Sequence, residues 1–523
     1  MLSNAIHLRR TLLALTLGFA SSAHAYLDVQ MDETTARAML NRFGYGIDPI
    51  ALRAATGTSP RQYIRRAIET KATYPAAINQ QIASLPSTQS LDVLWPRYGP
   101  GGTEKMIPQT TKVDESGKPK RAEREIVGRQ ILEAAVETRL LQTANSDNPG
   151  HEVLLNFWLN HFSIHGLKTI NKFLVADYVE TLRQAMHQDS FLALLRASFL
   201  HPAMQIYLDN ARSTAPGSRM GQNASQRGKT AGLNENLARE LLELHTLGVD
   251  SGYSQADIQA LARIITGAGV LNNQMTTQGL SAAGAERIGY FLFDPRRHDF
   301  EAKTLLGTNY PAGQGFKEIE RALEQLTQHP ATANHIASKL ARRFLADEPP
   351  PKLVKAMADG FRRSKGKISD TLHPLLNSRE FAESLNQPSK FKEPLDYLIS
   401  ATRATCYGQP IGNGKLLLRS AMDLEQAPFM RTTPDGYGSQ QKDWLSAPAM
   451  AKRVRIAQGL ASGKLPIGAP LENGRETAFC RPTPENIRRA VGPLSEKTKS
   501  ALNGLNPQDE MTALLASPEF MNR

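Results

Sequence analysis

Apolar residues recur at every third or fourth position through most of this chain, and no other feature narrows its fold as much. The pattern runs through residues 34–43, 59–70, 123–143, 150–165, 173–186, 190–200, 234–247, 254–266, 319–327, 331–344, 351–363 and 368–376. Each run can bury one helical stripe against its neighbours. Tyr290-Phe291-Leu292-Phe293 is the one segment that reads as a short strand. The expected fold is mainly α: a large multi-helical domain over residues 26–400 with loop-rich insertions, then a smaller, loop-rich C-terminal helical region over residues 401–523. Residues 97–122, rich in Gly, Pro, Lys and Thr, read as a flexible insertion. Residues 212–232, small, polar and Gly-rich, read as a loop. Ser254 reads as a helix N-cap with Asp257 as its reciprocal partner. Residues 375–381 and 514–520 echo each other, marking either similar helix ends or a second module after residue 390.

The first 25 residues read as a secretory signal peptide. Arg9 and Arg10 precede an apolar core over residues 11–20, too short to span a bilayer about 30 Å thick. Ala23-His24-Ala25 offers a small-x-small cleavage site, with a retained N-terminal anchor as the alternative. Cleavage after Ala25 predicts a periplasmic or secreted protein. No apolar run in the remaining chain is long enough to span a membrane. The formal charge is +12. That excess serves solubility or attraction to an anionic envelope polymer. The basic residues are scattered, no nucleic-acid motif is present, and no nucleic-acid partner is expected. The two cysteines, Cys406 and Cys480, suit one disulfide in an exported chain.

Chemistry concentrates in residues 234–247. On a helix at 100° per residue, Leu237, Leu241 and Leu244 fall within about 60° and form a buried stripe. Asn236, Glu240 and Glu243 form a polar stripe of about the same width beside it. Three readings follow. Glu235, Arg239 and Glu243 form a ladder of i,i+4 ion pairs. Or Glu240 and Glu243 act as acid and base, one raised by the other, with Asn236 and His245 assisting. Or the carboxylates bind a divalent metal with a histidine from another helix. The Glu-x-x-His spacing of di-metal bundles is absent.

His161 and His165 stand four apart on an expected helix, a spacing that suits one metal or a capped helix end. Phe162 occupies the place of the glutamate in a zinc-protease motif. His298-Asp299, followed by Lys303, is a weaker candidate for ligation or proton transfer. The full candidate metal set is His161, His165, Glu240, Glu243, His298 and Asp299. Asp209 and Asn210 enter the Gly-rich segment as cleft residues or as a turn. No phosphate-binding loop, dinucleotide fingerprint or esterase elbow is present.

These residues carry a resemblance. Arg42-Phe43-Gly44, Phe157 to Phe162, His201-Pro202-Ala203-Met204 with Tyr207 to Asn210, and Asn234 to Gly248 occur in the order of one exported bacterial family. So do His298-Asp299 with Lys303, Lys339-Leu340 with Arg343-Phe344, Thr433 to Tyr437, and Trp444-Leu445-Ser446. The chain resembles the family catalogued as domain of unknown function 1800. Ala268 departs from its pattern, which has an aromatic there. The resemblance implies a secreted, mainly helical protein and, as a partner, a sulfatase-like exported protein encoded nearby. It implies no catalytic residue. Two functions are therefore expected in competition: an envelope hydrolase using a carboxylate or metal site on residues 234–247, or a non-catalytic periplasmic assembly partner of the sulfatase-like protein.

Overall fold

The computed structural model describes residues 26–103, 123–228, 232–386, 390–471 and 477–523. The expected signal peptide and most of the expected insertion lie outside them. The structure is 61% helical and 4% strand. One continuous apolar cluster runs from Leu27 to Met521. No helix among the described residues is long and apolar enough to cross a membrane.

Local chemistry sets most helix ends. Ser59 and Gln62 exchange side-chain and backbone hydrogen bonds at the start of Pro60–Glu69, and Ser254 and Asp257 do the same before Gln255–Ile264. Pro330–Phe344, Pro351–Arg363 and Ile368–Leu376 pack in succession. The echo in the sequence marks two equivalent corners. Ser378 caps the turn into Arg379–Asn386 and Ser517 caps Pro518–Met521, with Phe381 and Phe520 buried behind them.

The short strand Phe291–Phe293 is the buried centre of a three-stranded antiparallel sheet. Ala268 pairs with Phe293 on one side, and Glu286 does so on the other. Ala268 is buried on an edge strand of this sheet. A two-stranded hairpin, Lys303–Leu305 with Thr308–Tyr310, follows.

Three sequence expectations are corrected. The 212–232 segment contains a helix, Arg219–Gln226, capped by Ser218. Only Gly221 of that helix is buried, so its sequence shows no apolar stripe. The helix expected over 150–165 is Pro149–His161. Beyond it the Phe162 carbonyl accepts from the Tyr178 hydroxyl at 2.7 Å, and the Gly166 amide donates to the Phe429 carbonyl at 2.8 Å. Both bonds draw the chain off the helical path, so His161 and His165 do not share a helical face. The helix expected over 234–247 is Asn236–Glu240, continued by one wide π turn, Leu241–His245.

Cys406 and Cys480 are bonded, tying the end of Pro394–Cys406 to a segment 74 residues on. On the chain-entropy model such a closure is worth about 4 kcal/mol. Replacing both cysteines by serine is expected to lower unfolding free energy by that amount. Urea unfolding with and without reductant checks it, and both treatments should converge.

Candidate active site

The π turn reorders the 234–247 segment. It adds one residue to a turn, so His245 replaces Leu244 on the buried face with Leu241 and Leu242. The carbonyls freed at its end are capped from elsewhere. His335 Nε2 donates to the Leu244 carbonyl at 3.2 Å, and His161 Nε2 donates to the His245 carbonyl at 3.1 Å. Gly248, at φ 96°, closes the turn by donating to the Leu242 carbonyl.

These contacts gather His161, His245 and His335 around Lys339. Burial lowers all three imidazoles, His245 to about 3 and His335 to about 4, and the Lys339 charge lowers them further. All three are neutral at physiological pH. His161 Nδ1 and His245 Nε2 are buried without a hydrogen-bond partner among the described residues. Burial also brings Lys339 down to about 8, against Asp435, which raises it, and with Arg342, which lowers it further.

Lys339 and His161 face a cavity of about 250 Å³ between the Pro149–His161 and Pro330–Phe344 helices and the 426–439 loop. One wall is a buried ion cluster. Arg343 donates to Asp396 at 2.7 and 2.8 Å and to Glu393 at 2.7 Å, while Arg523 lies 2.9 Å from Asp396. The opposite lip is the Thr433–Tyr437 motif. Asn160 grips it twice, accepting from the Tyr437 amide at 2.7 Å and donating to its carbonyl at 2.9 Å. Gly436, at φ 74°, lies so close that a Cβ there would meet the Asn160 carbonyl oxygen at 2.3 Å. Gly436→Ala is expected to cost about 1–3 kcal/mol and to displace Asp435. Thermal unfolding reads the first effect and turnover the second.

Behind this lip, outside the cavity lining, the polar stripe divides. Arg239 pairs with Glu243 at 3.3 Å and with Glu235 at 3.7 Å, so the ion-pair ladder is present. Glu240 stands outside it. Burial, then the charge of Glu243, raises the Glu240 carboxyl to about 7, with Asp435 adding to this and Arg239 opposing it. Burial also pushes Asp435 up, but hydrogen bonds from Arg431 and Thr433 outweigh it and hold that carboxyl below its ordinary value. Both charges act on Tyr207, whose hydroxyl donates to the Thr432 carbonyl at 2.9 Å. Asn236 is exposed.

The other candidates serve elsewhere. His298 Nδ1 contacts the Thr266 carbonyl at 2.7 Å, and its Nε2 lies 3.0 Å from Glu318. Lys303 meets the same Glu318 oxygen at 2.7 Å, and Arg263 holds Asp299. This buried network joins the sheet region to the Phe316–Gln328 helix. His165 lies beyond its helix, half-buried against the Arg431 backbone. Asp209 pairs with Lys168 at 2.8 Å, while Asn210 is buried and braces Gln205. Neither enters the cavity. Among the described residues no group of three or more His, Cys, Asp or Glu is placed to hold a metal ion. The six candidate ligands are thus distributed among the helix end, the segment behind the lip and the Glu318 network.

Lys339, Asp435 and Arg431 were absent from the candidates read from sequence. Two of them fell within family-like motifs, the only signal that could have marked them. Other motif residues are structural. Arg42 donates to the Leu345 carbonyl at 2.6 Å, and Phe43 stacks on Phe344 with ring centroids 4.1 Å apart. No curated protein and no solved structure matches the chain. A family model matches residues 38–522, a span that takes in the cavity, its lip and the π turn, and the chain therefore belongs to the family described as Protein of unknown function (DUF1800).

Proposed function

We propose that this protein is an acid–base hydrolase acting on an envelope polymer. The observation that carries this reading is the split between two neighbouring carboxyls: Asp435, on the cavity lip and held down, and Glu240, behind the lip, close enough to feel the Asp435 charge and raised to about 7. Environments that push two acids apart mark the donor and the acceptor of protons. Glu240, protonated over much of the neutral range, donates to the leaving oxygen as its bond breaks. Asp435, ionised, accepts a proton from the attacking water, whose hydroxide joins the electrophilic centre. Exchange with solvent then restores both groups. Glu243 keeps Glu240 raised and is a positioning residue, itself engaged by Arg239.

The cavity, at about 250 Å³, lies just below the usual range of about 300–1,000 Å³ for small-molecule sites. It suits one polymer unit better than a long segment.

The test is fragment release. Purified mature protein is incubated with acidic and neutral envelope polymers, and new ends are counted by mass spectrometry. Release that declines above pH 7 is the expected result. Retention of polymer or of the sulfatase-like protein, with no bond cleaved under any condition, would overturn the hydrolase reading in favour of the assembly role.

A further inference from the structure

Four cations line the cavity, and two of them are already engaged. Arg343 is held by Glu393 and Asp396, and Arg431 by Asp435. Lys339 and Arg342 stand one turn apart on the Pro330–Phe344 helix. Neither makes a hydrogen bond or a close ion pair among the described residues. Arg342 is exposed at the mouth and Lys339 lies deeper. An ammonium left in a partly desolvated cavity with no directly bonded counter-charge is costly. Folding tolerates it where a ligand supplies the missing charge.

His161 adds a second element to the same wall. A carbonyl can only accept, so the ring nitrogen facing the His245 carbonyl carries the hydrogen. Nδ1 of the neutral ring is therefore a lone pair, buried and without a donor among the described residues. The residues of this wall carry two unmatched cations and one unmatched acceptor among the described residues.

We infer that the cavity binds a hydroxylated anion, with its carboxylate or phosphate between Lys339 and Arg342 and a neighbouring hydroxyl donating to His161 Nδ1. The substrate class is thus an acidic polymer unit, either a uronate-type sugar acid or a polyol phosphate. This rests on the cavity being the substrate site, and is independent of whether a bond is cleaved there. His161, His245, His335, Arg342 and Asp435 are the titratable and charged groups that act on Lys339. Among the described residues only Asp435 offsets its charge, so anion binding is accompanied by proton uptake near pH 8–9.

The experiment is titration calorimetry of the full mature protein with glucuronate, glycerol 3-phosphate, acetate, glucose and glycerol. At least one of the first two should bind ten-fold or more tightly than its neutral counterpart and than acetate. Preference for glucuronate assigns sugar acids, and preference for glycerol 3-phosphate assigns polyol phosphates. Lys339→Met and the exposed Arg342→Gln should each weaken that binding ten-fold or more, while Lys339→Arg keeps it within about three-fold. Equal binding of charged and neutral probes overturns the inference, as does unchanged affinity in a folded Arg342→Gln variant. Acetate binding as tightly as the hydroxylated anions overturns the role of His161. Anion binding without turnover in the parent would reject the hydrolase reading and keep this one.

Discussion

Glu240→Gln is expected to abolish turnover while making the protein more stable above pH 7. The amide cannot donate the proton, and loss of general acid catalysis typically costs about 10²–10⁴-fold in rate. The stability gain follows from linkage. The Glu240 carboxyl is raised in the folded state from its ordinary value to about 7. Its contribution to stability is therefore fully present below the unfolded value. It is lost as pH rises through about 7, where the folded protein must ionise a half-buried acid beside Glu243. After allowance for solvent around the carboxyl, the variant should gain about 1–2 kcal/mol at pH 8 and nothing at pH 4. Urea unfolding at the two pH values measures this. Glu243→Gln provides the companion result. It removes a charge that keeps Glu240 raised, so the alkaline fall in rate should move to lower pH without disappearing. A Glu240→Gln protein that keeps more than a tenth of the parent rate would remove Glu240 from the chemistry.

Arg343→Met is expected to be the most destabilising substitution at the cavity, by about 3–5 kcal/mol, because it leaves two carboxylates buried without their main partner. Arg343 is buried and makes three hydrogen bonds, two to Asp396 and one to Glu393. Burial alone would drive Asp396 up. Arg343, then Arg523, outweigh it and hold that carboxyl well below its ordinary value. In the parent protein this contributes stability above the unfolded carboxyl range, lost as pH falls through the depressed folded value. Without Arg343 the sign reverses for Asp396, and acid relieves the strain. The gap between parent and variant should therefore narrow as pH falls from 8 towards 4. Adding Asp396→Asn to Arg343→Met should recover part of the loss, since one orphaned charge is gone. A variant within 1 kcal/mol of the parent at pH 8 would mean that Arg523 and water satisfy both acids unaided.

The sequence was informative where causes are local. Helices Pro351–Arg363 and Ile368–Leu376 matched their apolar periods to the residue. The Ser254–Asp257 capping box was legible because both partners lie within one turn. The ion-pair ladder Glu235–Arg239–Glu243 was legible for the same reason. Where helices were misjudged, the cause was distant. Residues 162–165 looked helical by period, but Tyr178 and Phe429 take the hydrogen bonds that would continue the helix. Residues 241–245 kept a helical pattern, but His161 and His335 cap carbonyls that only a wider turn releases. A side chain 84 or 91 residues away leaves no mark on the local spacing.

The candidate site divides along the same line. Glu240 and Glu243 were visible as a stripe, because neighbours on one helix face are fixed by 100° of turn per residue. That Glu240 is a raised acid came from tertiary structure. Arg239 turns towards Glu243, while the 433–437 loop brings Asp435 to Glu240 from nearly 200 residues downstream. Lys339 looked like an ordinary helical lysine. It becomes chemically distinct through burial beside three histidines contributed by three separate segments. Backbone period and caps act over one or two turns and are written into adjacent residues. Proton affinity depends on desolvation and on charges brought together across the fold, so only the folded chain decides which acid holds its proton.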